Sequence, residues 1–395
     1  MLSSSSYRHL QPFFHPLHNA GLNTAIQNNV HNFITEIIHN VECYSYNTVE
    51  NHQHYNFILY GGNDHVYLSV YKVDHNSKSV SDISKPIFMD ATHGKRITLL
   101  AFANMCETDY RLTFAVVDSS NTVSIYQSEK RVHSGATLSS SSIRIKKLAN
   151  FNAHKLQITG LKFTSSGDAN RLQLVSVSED HKCILTTIQE SNKCVSKTIF
   201  ESFSALSSVN IRSRNSNEIV VGQHFPATCY ILDLRENSAR LKPSLSLKYS
   251  ETSSENFTLH DSDVHPSRNE LIGCGIGTDF CIFDCRGTSL PVVRTELAHS
   301  SSFCKRFKWA YVSNNPSQEL FATTNPYDTI KIWDTTSSSS SSQGDMTDHV
   351  LSTGHNTSAL LSTYKQNHIV GGVTWTFSPN CLITGGDRKL HSYCI

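Results

Sequence analysis

The sequence predicts an all-β fold in which seven small sheets close into a ring, a seven-bladed β-propeller. Seven short apolar runs, rich in β-branched and aromatic side chains, have the composition of strands. They recur about 46 to 60 residues apart, which is the period of propeller blades, and almost no helical periodicity lies between them. The runs are residues 66–71, 123–126, 182–186, 229–233, 280–284, 330–334 and 389–393.

A second strand precedes several of these runs and is joined to it by a tight turn. Residues 172–177 precede the third run in this way, residues 271–275 the fifth and residues 320–324 the sixth. A strand–turn–strand unit cannot bury its apolar faces alone, so successive units are expected to pack against one another as blades.

The two ends of the chain are expected to close the ring together. The seventh run would be the third strand of its blade, and without an outer partner it would leave an exposed sheet edge. Residues 32–38 alternate well enough to supply the missing strand, so the sequence predicts closure by an N-terminal strand. A short helix is the alternative, because Phe33, Ile37 and Ile38 also have helical spacing.

One propeller accounts for residues 29–395, and three further segments are expected to be irregular. Residues 1–28 carry Ser, His, Asn and Pro without periodicity and are predicted to be a disordered tail. Flexible insertions are predicted at about residues 130–142 and 335–348, and the second contains six consecutive serines, Ser337 to Ser342.

Composition narrows the class of protein. The 34 Lys and Arg residues oppose 33 Asp and Glu residues, a net charge of +1, so the overall charge of a general nucleic-acid binder is missing. No apolar stretch is long enough for a transmembrane helix, and the N-terminus does not have the pattern of a secretory signal. The 11 cysteines are odd in number and mostly lie in apolar runs, which favours reduced thiols. We therefore expect a soluble intracellular protein without membrane insertion or direct nucleic-acid binding.

The sequence shows no recognisable catalytic or cofactor motif. The patterns of serine hydrolases, zinc proteases, P-loop proteins and dinucleotide-binding proteins are all missing. The 21 histidines are scattered, and packing explains Cys274, Cys281 and Cys285 better than metal binding does. We expect a protein that is not an enzyme and has no cofactor or metal; a propeller enzyme is the remaining alternative.

Residues 329–334 have the complete ending of a WD repeat, and residues 282–284 are a near copy one blade earlier. The chain therefore resembles divergent WD-repeat propellers. In that family the Trp indole joins a buried hydrogen-bond relay, which the resemblance assigns to Trp333, His299 and either Thr323 or Thr324. Elsewhere the Trp position is occupied by other residues, namely Thr186, Leu232 and Tyr393. The structural WD-type positions are Trp333, Asp334, Phe283, Asp284, Asp233 and His299.

A narrower resemblance covers about residues 157–334 and extends to residues 380–387. The order and spacing of short motifs are similar to those of the small WD-repeat nucleoporin of the nuclear-pore Y complex. The motifs are Leu259-His260, Asp263, His265-Pro266, residues 282–286, Pro291 and Ala298-His299, with residues 231–235 before them. The resemblance implies a scaffold subunit of the nuclear pore complex outer ring that docks onto other nucleoporins of the Y-complex short arm. It also implies a place in the nucleus at the nuclear envelope, roles in mRNA and protein transport, and kinetochore association in mitosis.

Two Asp-x-Arg segments support a second hypothesis. Asp233 with Arg235, and Asp284 with Arg286, resemble the boxes that dock the adaptor in WD-repeat substrate receptors of cullin–RING ubiquitin ligases. The alternative is local, because an Asp in the turn after a strand also caps backbone N–H groups while the Arg pairs with it.

A rigid ring without catalytic groups offers its loops as interaction surfaces. The docking face is expected to carry an apolar or aromatic patch that is ringed by polar residues. Candidate docking residues are Phe225, Pro226 and Tyr327, which precede third-strand positions.

Overall fold

In the residues that the computed structural model describes, 29 β-strands form seven antiparallel sheets and no helix occurs. The description runs from residue 28 to residue 394. The gaps within it are residues 32–35, 48–53, 75–78, 104–110, 130–142, 165–170, 190, 213–214, 237, 239, 251–256, 296–297, 300–301, 312–318, 336–358, 366–369, 377–380 and 387.

The first four blades follow one another along the chain, and each is built from its innermost strand outward. The first blade contains β2 (Asn40–Asn47), β3 (His54–Gly61), β4 (His65–Asp74), β5 (Ser79–Ile83) and β6 (Phe88–Ala91), the last two both paired with β4. The second to fourth blades are β7 (Ile97–Phe102), β8 (Thr113–Asp118), β9 (Val123–Ser128) and β10 (Ile145–Phe151); β11 (Ile158–Thr164), β12 (Leu172–Ser178), β13 (Lys182–Ile188) and β14 (Cys194–Glu201); and β15 (Leu206–Arg212), β16 (Asn215–Gln223), β17 (Thr228–Asp233) and β18 (Leu245–Lys248).

The last three blades continue the pattern, and the seventh takes its outer strand from the start of the chain. They are β19 (Leu259–Val264), β20 (Leu271–Ile276), β21 (Asp279–Asp284) and β22 (Val293–Thr295); β23 (Arg306–Trp309), β24 (Leu320–Thr324), β25 (Thr329–Asp334) and β26 (Ala359–Lys365); and β27 (Gly372–Trp375), β28 (Cys381–Gly386), β29 (Lys389–Cys394) and β1 (Asn28–His31). The predicted fold is confirmed, since each of the seven apolar runs lies within the third strand of its blade.

The inner strands form the wall of the ring. In the order β2, β7, β11, β15, β19, β23 and β27 each contacts the next, and β27 contacts β2. Apolar clusters fill the spaces between neighbouring blades. Between the fifth and sixth blades, for example, the Phe280 ring meets Phe321 edge-on with 5.0 Å between centroids and Trp333 edge-on at 4.8 Å. These clusters hold the blades together by burial of apolar surface.

The ring closes as predicted, but the segment chosen for closure was wrong. The outer strand of the seventh blade is β1, which pairs with β29 from Asn28↔Tyr393 to His31↔Leu390. In the predicted segment 32–38, residues 36–38 are described and belong to no strand, and Ile38 is buried. Ile38 packs with Ile383 and Leu390 at the seam between the seventh and first blades. Its apolar character therefore comes from packing between blades and not from a place in the ladder.

The remaining boundary predictions fall mainly on residues outside the description. These are the disordered tail, except for Asn28 at the start of β1, the insertion at residues 130–142, and the serine-rich linker beyond Thr335. They stay predictions.

Candidate protein-binding face

One face of the ring is formed by two sets of connections, which together we call the loop face. They are the turns between the second and third strands of each blade and the connections that enter each inner strand. Several of the turns are tight and need a left-handed residue: φ is 53° at Gly277 and 61° at Asn121. Glycine and asparagine adopt this conformation most readily, which explains their presence there.

In the sixth blade a buried relay joins the incoming connection to the third strand. The Trp333 indole N–H donates to Thr323 Oγ1 at 2.9 Å, and His299 Nε2 lies 2.9 Å from the same oxygen. Because that oxygen accepts the indole proton, the threonine O–H can donate to His299, whose Nε2 must then be unprotonated. Burial favours the same state, since it lowers the pKa of His299 to about 4. Of the two candidate threonines, Thr323 is thus the one in the relay.

The third blade keeps this relay without a tryptophan. His154 Nε2 lies 2.8 Å from Ser176 Oγ and its Nδ1 lies 3.0 Å from Asp180 Oδ1, while Thr186 stands at the Trp position. Ser, His and Asp in this order also make a hydrolase triad. Here, however, Ser176 is only 2% exposed, so no substrate reaches its hydroxyl. Asp180 also accepts the Lys155 backbone N–H at 3.0 Å, and the relay fixes the loop.

Sequence reasoning missed this third-blade relay, although a signal was present. His154 follows an alanine just as His299 does, and each lies a few residues before an inner strand. The first blade uses a carboxylate instead: Glu36 accepts the Tyr67 hydroxyl and the Asp64 backbone N–H, both at 2.6 Å. No sequence pattern shared with the histidines would have revealed that equivalence.

The fourth and fifth blades have their own versions of this device. The Tyr249 hydroxyl donates to Asp279 Oδ2 at 3.0 Å in the fifth blade, and the Ser202 hydroxyl donates to the Gln223 side chain in the fourth. In each case a side chain from the incoming connection holds the blade it enters, at the start of the third strand in the fifth blade and at the end of the second strand in the fourth. The connections that enter the first and the third to sixth blades are therefore fixed by hydrogen bonds of their own side chains.

Large apolar side chains project from these fixed connections into solvent. Phe203 is 72% exposed and Tyr327 is 59% exposed. The exposed set on the loop face is Ile37, Leu156, Phe203, Phe225, Phe303 and Tyr327. The other exposed large apolar side chains among the described residues lie on or beside outermost strands, and they are Met89, Val195, Val292, Leu360 and Leu361. Exposure is thus concentrated on one of the two faces.

Three of these aromatic side chains lie on neighbouring connections. The backbone N–H of His224, beside Phe225, donates at 2.8 Å to the connection that carries Phe203. The His260 ring then links this region to Phe303, with centroids 5.4 Å from His224 and 4.4 Å from Phe303. Burial, followed by the charge of His224, lowers the pKa of His260 to about 4, so this ring is neutral at neutral pH. We call Phe203, His224, Phe225, His260 and Phe303 together the apolar patch.

The Asp-x-Arg segments lie on the opposite face and pair locally. The Arg235 guanidinium meets the Asp233 carboxylate at 2.6 Å, Arg286 meets Asp284 at the same distance, and each arginine backbone N–H also donates to its aspartate. The side-chain hydrogen bond from the arginine lowers the pKa of each aspartate. The two arginine side chains are 60% and 64% exposed, so these pairs add little stability. Adaptor docking through them stays a prediction.

The other positions that the sequence singled out are buried or half-buried. Phe283 packs in the core cluster between the fourth and fifth blades, and Asp334 is buried at the end of β25. Cys274 and Cys281 are buried and Cys285 is half-buried. Within the described part of the chain, no group of three or more His, Cys, Asp or Glu side chains is arranged to hold a metal ion, and no helix could span a membrane.

Comparisons with known proteins support the fold. No protein-family model matches the chain, and no curated protein matches its sequence. The chain is similar to Chaetomium thermophilum Sqt1 in a crystal structure bound to the N-terminus of the ribosomal protein L10, with 13% identity and a TM-score of 0.56, over 92% of this chain and 100% of that one. A second crystal structure of Sqt1 from the same organism gives 14% identity and a TM-score of 0.57, over 93% and 100%. The similarity shows a seven-bladed WD-type propeller.

Proposed function

We propose that this protein is a non-enzymatic scaffold that binds a partner protein through its loop face. The observation that carries the proposal is the apolar patch, in which aromatic side chains are exposed on connections that hydrogen bonds hold in place. Clustered exposed apolar groups mark interaction sites, and aromatic anchors supply much of the binding energy at interfaces. Because the connections are already ordered, a partner does not have to order them on binding.

The Sqt1 structure lends support at the level of fold. Its propeller is bound to the N-terminus of a ribosomal protein, so a ring of this architecture can take a short protein segment as its ligand. A segment of that kind could reach several connections of the loop face at once, whereas a flat protein surface would contact only their tips.

We further propose that the partners are other nucleoporins and that the chain is a scaffold subunit of the nuclear pore complex outer ring. The support is the resemblance of its motifs to the small WD-repeat nucleoporin of the Y complex. One of those motifs, Leu259-His260, begins the inner strand of the fifth blade and contributes His260 to the apolar patch. On this proposal the protein acts at the nuclear envelope in mRNA and protein transport, and at the kinetochore in mitosis.

Affinity purification of the full chain, followed by mass spectrometry, tests both levels of the proposal. Phe203→Ser combined with Phe225→Ser removes two exposed anchors, and Val195→Ser, on the outer strand β14, is the matched control. We expect the wild type and the control to recover Y-complex subunits, and the double variant to lose them with an unchanged melting temperature. If no nuclear-pore subunit is recovered, the nucleoporin assignment is wrong. If the Phe203→Ser/Phe225→Ser variant recovers the same subunits as the wild type, the proposed docking face is wrong.

A substrate receptor of a cullin–RING ubiquitin ligase is the second candidate. The observation that favours it is the exposure of Arg235 and Arg286 on one face in adjacent blades. Changing both residues to alanine discriminates between the candidates. Loss of binding to the ligase adaptor with an intact fold would favour the receptor, whereas unchanged co-purification with Y-complex subunits would favour the nucleoporin.

A further inference from the structure

Four basic side chains surround the opening of the central channel on the loop face. His39, Arg96 and Lys305 directly precede the inner strands β2, β7 and β23, and Arg306 begins β23. Each inner strand starts at the loop face, so these residues lie where the channel opens. Arg306 also lines the channel itself. We call these four residues the cationic mouth.

The charges of Arg96 and Lys305 in the cationic mouth are not neutralised by the part of the chain that the structure describes. Within that part, neither Arg96 nor Lys305 has a carboxylate within ion-pair distance, whereas Arg306 forms a long ion pair with Asp261 at 3.9 Å. Lys305 is half-buried, and burial, followed by the charges of Arg306 and Arg96, lowers its pKa to about 8. The pKa of His39 is also lowered, first by burial and then by Arg96 and Lys305, against a raising effect of its hydrogen bond to Asn63 and of Glu36.

Deeper in the channel the charges are matched, in contrast to the mouth. Lys162 Nζ lies 3.3 Å from Glu42 Oε1, which links the third blade to the first across the channel. Asp263 accepts the Trp309 backbone N–H at 3.0 Å and faces the charges of Lys162 and Lys308. The excess of positive charge is therefore confined to the entrance, where an anion can arrive from solvent.

The cationic mouth adjoins the apolar patch. Phe303 lies two residues before Lys305 on the same connection, and the His260 ring against Phe303 directly precedes Asp261 in β19. A ligand that covers Phe303 is thus within reach of Lys305 and Arg306. A bound segment that is complementary to both the apolar patch and the cationic mouth carries apolar and negatively charged groups close together.

We infer that the cationic mouth binds a carboxylate of the partner protein, so the docked segment places an acidic residue or a C-terminus beside apolar side chains. The inference rests on the proposed function of the loop face. A carboxylate at this point would form charge-assisted hydrogen bonds with Arg96 and Lys305, which have no acidic partner among the described residues. It would also relieve the repulsion between Lys305 and its basic neighbours, which the fold alone leaves in place.

An RNA fits these observations less well than an acidic protein segment. Nucleic-acid channels carry positive charge along a groove that follows the backbone, whereas here the unmatched charge is restricted to one opening. Below that opening Lys162 and Lys308 are matched by Glu42 and Asp263, so the excess positive charge does not continue along the channel for a chain of phosphates to follow.

A library of random peptides displayed on phage and selected on the full chain supplies the probe. The most enriched peptide is synthesised and titrated by calorimetry against the wild type, Lys305→Met and the matched control Lys193→Met, an exposed lysine on the opposite face. We expect enriched peptides to combine acidic and apolar residues, Lys305→Met to weaken binding about tenfold or more, and the control to bind as the wild type. Changing the acidic residue of the peptide to its amide should weaken binding to the wild type by the same factor. The changed peptide should bind Lys305→Met little more weakly than it binds the wild type, because the two groups interact with each other.

The outcomes separate this inference from the proposed function. Peptides without acidic residues, whose binding is lost in the Phe203→Ser/Phe225→Ser variant but kept in Lys305→Met, would overturn the carboxylate site and leave the scaffold function standing. Peptides whose binding neither variant affects would overturn both. Binding of an oligouridine probe that depends on Lys305 would overturn the assignment to a protein ligand. Melting curves of every variant exclude unfolding as the cause of a loss.

Discussion

The buried neutral histidines predict that the propeller loses stability in mild acid. His265 and His299 are both almost inaccessible to solvent, and burial lowers the pKa of each from 6.5 to about 4. Both rings act as acceptors. His299 Nε2 receives the Thr323 hydroxyl, and His265 Nδ1 receives the Arg268 backbone N–H at 3.0 Å and that of Ser267 at 3.3 Å. Protonation of either ring would break these hydrogen bonds inside the protein.

The sign and size of the effect follow from the two pKa values. In the unfolded chain these histidines bind protons near pH 6.5, whereas in the folded chain they bind them near pH 4. Their contribution to stability is therefore fully present above about pH 6.5 and is lost as the pH falls toward 4. Between about pH 8 and pH 5 each histidine should lower the free energy of unfolding by about 2 kcal/mol, and the two together by about 4 kcal/mol.

Urea unfolding followed by tryptophan fluorescence measures this loss directly. The variant His299→Gln keeps an amide oxygen that can accept a hydrogen bond, yet it has no titrating ring. We expect it to be less stable than the wild type at pH 8 and to lose about 2 kcal/mol less between pH 8 and pH 5. An equal loss in both proteins would refute the assignment of His299 as a neutral buried acceptor, whatever the absolute stability of the variant.

Three further predictions concern packing and charge. Trp333→Phe keeps the aromatic contact but leaves Thr323 without the indole donor, so urea titration should show a loss of about 1–3 kcal/mol. Gly273→Ala places a methyl group against the Phe307 ring, which aromatic neighbours confine; we expect a loss of about 1–3 kcal/mol with unchanged far-ultraviolet circular dichroism. Lys305→Met should stabilise the free protein at pH 7 by about 1 kcal/mol, a figure reduced for the partial exposure of the lysine. The gain in stability should shrink between pH 8 and pH 10, because the wild-type lysine loses its charge in that range. Equal melting temperatures of wild type and variant at pH 7 would contradict this last expectation.

The third strand of every blade could be predicted from the sequence, but the inner strands could not. The third strands are buried among other strands and are therefore apolar and β-branched. The inner strand β19 instead contains Asp261 and Asp263, which look like loop residues in the sequence. In the structure these carboxylates accept the backbone N–H groups of Phe307 and Trp309 on the neighbouring blade. Partners 46 residues away along the chain cannot be inferred from local composition.

The same limit applies to the candidate site. Phe225 and Tyr327 could be proposed as docking residues because a turn-forming proline or asparagine places them in loops. Phe203 and Phe303 were missed, because the sequence alone does not distinguish an aromatic residue that fills the core from one that faces solvent. The cationic mouth was also out of reach, since it joins residues 39, 96 and 305 only when the ring closes.

The relays explain how a chain with few WD-repeat tryptophans can keep the connections of the loop face in fixed positions. Only the sixth blade has the WD tryptophan, Trp333. In four other blades a side chain of the incoming connection forms a hydrogen bond with the blade it enters, and these side chains are Glu36, His154, Ser202 and Tyr249. What the fold requires is a hydrogen-bonding group at that point, and its identity can vary. The exposed tips carry no such requirement, so their composition is free to follow the partner. A chain can therefore share this fold with Sqt1 at 13% identity, while on the proposed function the chemistry of the tips, here aromatic beside positive charge, selects the partner.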